Sequence, residues 1–208
     1  MITELQVKEI IEANFGKEPY LDKLSEISKN DSKKDKIESL ITELDDHRFY
    51  NYDTIKKKIY KGTAPKSPDM ILFKGDEIVF IEFKCGRIEG KEKKCINRNE
   101  GEECLYSLWD IRLKAVEGGC IVLHDIIEKA GENVGFSDIV GLNKRYILVY
   151  KNEYANDKDY IHNSLYSYEI KFGLQIYIKK FFRDVHTVPK YAFIKWLKHN
   201  HFIDEIPK

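Results

Sequence analysis

The sequence predicts an α/β domain in which helices flank a mixed central sheet. Near both ends of the chain, apolar residues recur three and four positions apart, which is the spacing of a helix with one buried face. Between them lie two adjacent runs of strand type that are joined by a Gly-Asp turn. A third strand-type run follows a long helical segment, so the elements occur in the order helix, hairpin, helix, strand, helix.

The N-terminal part, up to about residue 65, is predicted to be mainly helical. Thr3 is a suitable N-cap, Gln6 completes a capping box, and Gly16 is predicted to end the first helix. The apolar face of this helix is predicted to be Leu5, Ile10, Ile11 and Phe15. A second long helix is predicted to begin near Asp31 or Ser32. Its apolar residues are Ile37, Leu40, Ile41 and Leu44.

The central hairpin is predicted from a strand beginning at Asp69 and a second strand from Glu77 to Lys84, with Gly75 and Asp76 in the turn. If these are the two turn residues, counting outward places Asp69 opposite Glu82. Directly opposite residues point to the same side of a sheet, and Lys84 points there too because side chains alternate along a strand. The intervening residues Val79, Ile81 and Phe83 are predicted to face a core.

The C-terminal half is predicted to begin with a long helical stretch whose apolar residues run from Leu105 to Ile127. Gly118-Gly119 interrupts this stretch as a kink or as a close packing point. A strand at residues 146–150 follows, then a helix, a short strand near residues 184–188, and a final helix that begins near Pro189. The penultimate helix is predicted from Ile170, Leu174, Tyr177, Ile178 and Phe181, and the final one carries Phe193, Trp196 and Leu197.

Length and composition favour a single domain over residues 1–208. Its parts are expected to be an N-terminal helical element (1–30), a core (31–150) and a C-terminal helical extension (151–208). Basic and acidic residues number 35 each, so the net charge neither indicates nor excludes nucleic-acid binding. The sequence has no membrane-spanning run and no signal peptide, so no membrane partner, a cytoplasmic location and reduced cysteines are expected.

The predicted register places two carboxylates and an ammonium group on one patch of the hairpin. Two carboxylates about 5 Å apart repel each other by roughly 3 kcal/mol at an effective dielectric constant of 20. Lys84 offsets part of this repulsion, and a divalent cation would offset more. Asp69, Glu82 and Lys84 are therefore the candidate catalytic residues of a metal site that meets a phosphodiester. Lys84 would orient or deprotonate water there, or stabilise charge at phosphorus.

Pro68-Asp69, a gap of twelve residues and then Glu82-Phe83-Lys84 resemble the motif of the PD-(D/E)xK nuclease superfamily. The resemblance implies a restriction-endonuclease-like fold and a metal-dependent nuclease, a phosphodiesterase that acts on nucleic acid, with DNA expected more than RNA. It implies that Asp69, Glu82 and the Phe83 carbonyl bind Mg²⁺ or Mn²⁺ and that Lys84 is the catalytic lysine. Family members often dimerise to cut both strands, so a homodimer is one expectation, although nothing in the sequence locates an interface.

Two further features of that family are assessed from the residues. Many members supply an additional acid from the helix before the hairpin, for which Glu43 is the candidate. Glu12, Glu38 and Asp45 are the alternatives. Some members carry a Gln on the following helix, but the sequence has no Gln between residues 100 and 130. Arg112 and Lys114 are found there and are interpreted as solvated charges, with phosphate contact as the alternative.

Other interpretations of the sequence stay open. The Glu82 and Lys84 pair could be an ordinary surface ion pair, or the chain could be a catalytically silent nuclease-fold module that binds nucleic acid or a protein. The intact set of Asp69, Glu82 and Lys84 argues against the catalytically silent module. A cysteine-based site for zinc or an iron–sulfur cluster is a weaker option, because the tight ligand pairs typical of such sites are missing. Its candidate ligands are Cys95, Cys104, Cys120 and His124.

Overall fold

A six-stranded mixed sheet is the centre of the fold. The computed structural model describes residues 1–29, 39–85, 108–151, 165 and 168–202. Across the sheet the strands lie in chain order; β1 to β4 are antiparallel neighbours, whereas β4, β5 and β6 are parallel. The predicted α/β class with a mixed sheet is therefore confirmed. The strands are β1 (Leu21–Asp22), β2 (Phe49–Asn51), β3 (Met70–Lys74), β4 (Glu77–Lys84), β5 (Lys144–Tyr150) and β6 (Asp184–Pro189).

Helices cover both faces of this sheet. They are α1 (Glu4–Phe15), α2 (Leu24–Ile27), α3 (Tyr52–Ile59), α4 (Leu108–Val116), α5 (Leu123–Lys129), α6 (Phe136–Gly141) and α7 (Lys190–His199). A π-helical turn, Glu117–Val122, joins α4 to α5, and a 3₁₀ turn occupies Leu174–Tyr177. Among the helices of the described residues, none has the length and apolar character needed to cross a membrane.

The two faces of the sheet bury separate hydrophobic clusters, as the alternation of side chains along a strand requires. Ile78 and Phe80 of β4 pack under α1, α3, α4, α5 and α6 on what we call the α4 face. Val79, Ile81 and Phe83 pack under α2 and α7 on what we call the α7 face. The prediction that these three residues face a core is confirmed. Both faces of β4 are thus buried, which leaves its polar residues in a protein interior.

The N-terminal helix is largely as predicted. Thr3 and Gln6 form the capping box, and Gly16 is the C-cap. The predicted apolar face was wrong at Leu5, whose side chain is 57% exposed, because the buried stripe runs through Val7, Ile11 and Phe15 at intervals of four residues.

The predicted second helix is wrong over residues 39–47, which form a β-bridge, a bend and turns; residues 30–38 of that prediction lie outside the described residues. The Ser28 hydroxyl accepts from Ile41 N–H at 3.0 Å, and the Ser28 carbonyl accepts from Leu40 N–H at 3.0 Å. These hydrogen bonds to Ser28 take the place of the backbone hydrogen bonds that Leu40 and Ile41 would form within a helix. Leu40, Ile41 and Leu44 are still buried on the α7 face, so the apolar pattern was informative about burial and misleading about conformation.

The predicted long helix around Gly118-Gly119 is interrupted there by the π-helical turn, where both glycines are close packing points. A Cβ at Gly118 would lie 2.1 Å from Pro68 Cδ, and one at Gly119 would lie 2.6 Å from the ring of Phe182. The Tyr52 hydroxyl donates to the Gly118 carbonyl at 2.8 Å. This turn therefore fixes the end of α4 against the residue that precedes Asp69.

The C-terminal predictions are confirmed for β5, β6 and α7. The helix predicted through residues 170–181 is wrong, because Phe172 and Gly173 have positive φ angles of 63° and 65° that no helix continues through. Only the 3₁₀ turn forms in that segment. Strand β6 lies in the central sheet, so the segment predicted as a helical extension also supplies a strand.

We expect Gly118→Ala to destabilise the protein by about 1–3 kcal/mol, because the added methyl group overlaps Pro68 and backbone must shift. Gly141→Ala is the matched control: it also lies in a helix, and a Cβ there meets nothing within 4 Å. That control should be neutral or stabilise by up to about 1 kcal/mol. Urea unfolding of both variants tests this, and equal unfolding free energies would contradict the close packing at Gly118.

Candidate functional site

The candidate site lies at the open end of the β3–β4 hairpin, whose predicted register is confirmed from the Lys74–Glu77 pair to the Met70–Ile81 pair. Asp69 forms a bend directly before β3. Its N–H donates to the Ile81 carbonyl at 3.0 Å, although Ile81 is already the partner of Met70, so the regular pairing is interrupted at Asp69 and the predicted Asp69–Glu82 pair is not part of the ladder. On its other side, the Asp69 carbonyl accepts from the Tyr52 N–H at 3.0 Å. The backbone of Asp69 is therefore held between two neighbouring segments.

The Asp69 side chain is held by strand β4. Its Oδ2 accepts a hydrogen bond of 2.7 Å from the Phe83 N–H. In a strand the N–H and C=O of one residue point toward the same neighbour, so the Phe83 carbonyl is directed toward this edge as well. The Asp69 Oδ1 atom remains for other partners. The Asp69 side chain is therefore anchored to the β4 backbone at the residue that follows Glu82.

Glu82 and Lys84 lie on the α4 face of β4 and are buried. The Glu82 side chain has no exposed area, and Lys84 is 4% exposed. The Lys84 ammonium forms an ion pair with Glu82 Oε1. The interpretation of this pair as an ordinary surface ion pair is therefore wrong. A fully buried carboxylate needs compensation by partners of opposite charge, and Lys84 supplies one of them.

Lys114 of α4 supplies the second cation and was misassigned from the sequence. Its Nζ lies 2.8 Å and 3.1 Å from the two carboxylate oxygens of Glu82 and 3.2 Å from Asp69 Oδ1. The interpretation of Lys114 as a solvated charge is therefore wrong. Lys114 lies three residues after buried Ile111 and four before Gly118, so it shares their side of the helix. That spacing in the sequence indicates that Lys114 lies on the buried side of α4.

Arg112, the other basic residue singled out on α4, contacts the backbone of Phe172 and Gly173. Its Nε donates to the Phe172 carbonyl at 3.3 Å. A Cβ at Gly173 would lie 2.2 Å from an Arg112 nitrogen, so the guanidinium packs directly on that backbone. Arg112 therefore ties α4 to the segment before the 3₁₀ turn.

The electrostatics of the cluster are set by burial and by its two carboxylates. Burial and the Glu82 charge raise the pKa of Asp69 to about 7, although Lys114, Lys84 and the Phe83 N–H oppose that increase. Burial disfavours the charge on Lys114, but Glu82 and Asp69 outweigh it and hold the Lys114 pKa well above its usual range. Lys114 is therefore a permanent cation, whereas Asp69 changes its charge near neutral pH.

Tyr146 of β5 extends the cluster across the sheet. It lies on the α4 face, one strand away from Glu82, with its ring centroid 5.7 Å from that of Phe182. Burial raises the Tyr146 pKa well above its ordinary value, and the Glu82, Lys114 and Asp69 charges all act on its hydroxyl group. This hydroxyl is buried and has no hydrogen-bond partner among the described residues. A buried hydroxyl of this kind indicates a place for a water molecule or ligand.

These residues fit a hydrated divalent cation. The Lys114 nitrogen already shows that one cation contacts oxygens of both Asp69 and Glu82. Mg²⁺ binds oxygen at about 2.1 Å and is usually held by one or two carboxylates with several waters, which matches this sparse donor set. A bound water would also give the Tyr146 hydroxyl its missing partner. Asp69, Glu82 and the Phe83 carbonyl are the residues that would hold the ion.

Glu43, the predicted additional acid, has a partner elsewhere. It lies in a turn, and its Oε1 is 2.7 Å from the Lys190 Nζ at the start of α7. The adjacent Leu44 is buried on the α7 face. The structure therefore places Glu43 with Lys190 and does not bring it to Asp69 and Glu82. Of the alternatives, Asp45 accepts from Ser25 N–H at 3.0 Å, and Glu38 lies outside the described residues.

The other candidate ligands for a metal lie around α5. His124, Asp125 and Glu128 offer ligand atoms within 4.8 Å of one another. His124 already uses both ring nitrogens, at 3.2 Å from Asp125 and 3.1 Å from the Val134 carbonyl. Cys120 is buried with its Sγ 3.7 Å from Lys144 Nζ, while Cys95 and Cys104 lie outside the described residues. These contacts give His124 and Cys120 structural roles.

Comparisons of this chain with protein families, with curated proteins and with solved structures found no match. Function is therefore inferred from the geometry of the Asp69–Glu82 site and from the sequence motif that it contains.

The stability of the metal-free protein should fall as pH rises from about 4 to about 7. The pKa of Asp69 is near 3.9 in an unfolded chain and about 7 in the folded protein, so the folded state binds more protons in that window. We expect the free energy of unfolding to be lower at pH 8 than at pH 5 by roughly 2 kcal/mol or more. Urea unfolding of wild type and Asp69→Asn measures this, and the same pH slope in both proteins would contradict it.

Tyr146→Phe should leave the metal-free protein as stable as wild type or stabilise it by about 1 kcal/mol, because it removes a buried hydroxyl without a described partner. Tyr52→Phe is the matched control: Tyr52 is also fully buried, but its hydroxyl donates to Gly118. Losing that buried hydrogen bond should cost about 1 kcal/mol. Thermal unfolding distinguishes the two variants, and an equal loss in both would show that Tyr146 has a partner.

Proposed function

We propose that this protein is a metal-dependent nuclease that hydrolyses phosphodiester bonds of nucleic acid, with DNA as the expected substrate. The observation that carries the proposal is the meeting of two carboxylates and two lysines at one end of the hairpin. Asp69 and Glu82 contact one cation, Lys114, and a second cation, Lys84, pairs with Glu82. Buried charged groups cost stability compared with apolar side chains, so such a cluster is better explained by chemistry than by folding.

Membership of the PD-(D/E)xK superfamily, with its restriction-endonuclease-like fold, is part of this proposal. Glu82 and Lys84 lie on β4, Asp69 directly precedes its antiparallel neighbour β3, and Lys114 contacts both carboxylates. After the hairpin the chain forms helix α4 and returns as strand β5 parallel to β4. This agrees with the helix, hairpin, helix and strand order that supports the resemblance.

The roles of the residues follow from their contacts. Asp69, Glu82 and the Phe83 carbonyl would hold Mg²⁺ or Mn²⁺. When bound, the metal polarises the phosphate and lowers the pKa of a water molecule. Lys84 is paired with Glu82 as an ammonium, which donates hydrogen bonds and accepts none. In that pairing Lys84 orients the attacking water or stabilises negative charge at phosphorus. Lys114 adds a second cation for the phosphate.

A second candidate function is favoured by the charge balance of the cluster. Two carboxylates and two lysines are already neutral as a group without any metal. A catalytically silent module of the same fold, which binds nucleic acid or a protein partner, would have this property. A nuclease that cuts both strands of a duplex would also need two sites, so a homodimer is proposed for a double-stranded substrate.

Labelled single- and double-stranded DNA and RNA should be incubated with the protein and Mg²⁺ or Mn²⁺. We expect metal-dependent cleavage that falls by about 100-fold or more in Glu82→Gln and in Lys84→Met, which remove a ligand and the catalytic cation. Glu77→Gln is the matched control, because Glu77 lies on the same strand and pairs with Arg145 at 3.0 Å. It should cleave like wild type.

The result also separates the two candidate functions. Folded wild-type protein that cuts none of the four substrates would support the silent binding module. Cleavage of equal rate in wild type and in both site variants would mean that another site, or a contaminant, performs the reaction.

A further inference from the structure

We propose that Lys114 occupies the metal position of the protein when no metal is bound, and that metal binding displaces its ammonium toward the phosphate of the substrate. This inference rests on the proposed function, because it concerns the same carboxylate pair. It adds a regulatory property to that site: the metal and the phosphodiester bind cooperatively, since each changes the position of Lys114.

The first step is the place of the Lys114 nitrogen. It is 2.8 Å and 3.1 Å from the oxygens of Glu82 and 3.2 Å from Asp69 Oδ1. The other Asp69 oxygen is taken by the Phe83 N–H. The ammonium therefore bridges Asp69 and Glu82, whose Oε1 atom also pairs with Lys84, and it lies where a shared ion would bind.

The second step is that the two cations exclude each other. A Mg²⁺ or Mn²⁺ ion that binds these oxygens approaches them to about 2.1 Å, closer than the ammonium does. An ammonium left in place would then lie within about 3 Å of a divalent ion, where like charges repel strongly in a poorly solvated site. Binding of the metal therefore requires that Lys114 leaves the carboxylates.

The third step is that Lys114 can leave, whereas Lys84 cannot. The Lys114 side chain is 18% exposed, and its flexible four-carbon stem reaches the pair from a helix at the edge of the site. The Lys84 side chain is only 5% exposed and extends from a central strand. The backbone of α4 stays fixed, because Gly118 packs on Pro68 one turn further along. Only the Lys114 side chain has to move.

The charge after this movement suits a phosphodiester. With Lys114 in place, the four side chains are neutral together. Once a divalent ion replaces it, the site is positive and Lys114 adds another positive charge at the rim. A phosphodiester anion gives the displaced ammonium a new partner. The metal should therefore bind more tightly when a phosphodiester is present, and this coupling should be stronger with Lys114 than without it.

Mn²⁺ binding without nucleic acid tests the inference independently of cleavage. Isothermal titration calorimetry at about pH 8.5, where Asp69 is ionised, would compare wild type, Lys114→Met and Lys66→Met. Lys66 is the matched control because its Nζ lies 2.6 Å from Asp110 Oδ1. Asp110 is on α4, the helix that carries Lys114, but it is outside the Asp69 and Glu82 pair. We expect Lys114→Met to bind Mn²⁺ about 10-fold more tightly or better, and Lys66→Met to bind like wild type.

Dimethyl phosphate, a diester without bases, would test the coupling. It should tighten Mn²⁺ binding to wild type by a larger factor than it tightens Mn²⁺ binding to Lys114→Met, in which only direct contact of the diester with the metal remains. Removal of Lys114 takes a cation from Asp69 and from the fully buried Glu82, so the variant could be poorly folded without metal. Thermal unfolding with and without Mn²⁺ covers this case: the metal should raise the melting temperature more in Lys114→Met than in wild type.

Two outcomes would overturn the inference in distinguishable ways. If wild type binds Mn²⁺ and Lys114→Met binds it no better, with no larger rise in melting temperature, Lys114 does not hold the metal position and the proposed nuclease function stands. If neither protein binds Mn²⁺ in calorimetry or melting, the metal site fails and the proposed function fails with it.

Discussion

The compensation of one buried carboxylate is the constraint on which this structure depends. Glu82 has no exposed surface, and removing one partner from such a group usually costs several kcal/mol. Lys84 reaches it from the same strand, whereas Lys114 must come from α4, which is separated from β4 in the chain. The position of α4 on the sheet is therefore tied to the charge of Glu82 as much as to apolar packing. The same requirement draws Asp69 into the cluster through the shared Lys114 ammonium.

The close approach of α4 to the hairpin is made possible by small residues and by a local change of helix type. The π-helical turn at Gly118 allows Pro68 to contact the helix backbone, and Tyr52 takes up the carbonyl of that glycine. Pro68, which packs against Gly118, directly precedes Asp69. The residue after Pro68 is therefore one that Lys114 of α4 contacts. π-helical turns are often found at functional sites, where they reposition side chains. Here the turn begins three residues after Lys114.

The sequence predicted the part of the site that depends on local geometry. Side chains alternate along a strand and a two-residue turn fixes the register, so the pairing from Lys74–Glu77 to Met70–Ile81 could be deduced by counting, whereas the bend at Asp69 could not. The apolar spacing on α4 places Lys114 on the buried side of that helix, but its contacts with Asp69 and Glu82 could not be deduced, because they depend on how the helix crosses the sheet. The segment at residues 39–47 was mispredicted for a related reason: apolar spacing shows which residues are buried, but hydrogen bonds to Ser28 decide the backbone conformation. Glu43 was tied to that helix and is found paired with Lys190 instead.

A second buried lysine shows why the hairpin cluster points to a ligand. Lys144 is also fully buried, but it donates to the carbonyl of Ile139 near the end of α6 and lies against Cys120. Burial lowers the pKa of Lys144, and its partners are a carbonyl and a thiol that come from the fold itself. The hairpin cluster differs in two respects: Asp69 is held near the pH at which it loses its proton, and Tyr146 keeps a buried hydroxyl without a described partner. A site that exchanges an ammonium for a hydrated metal ion needs an ionisable carboxylate and a polar group that can bond its waters, and the cluster offers Asp69 and the Tyr146 hydroxyl for these roles.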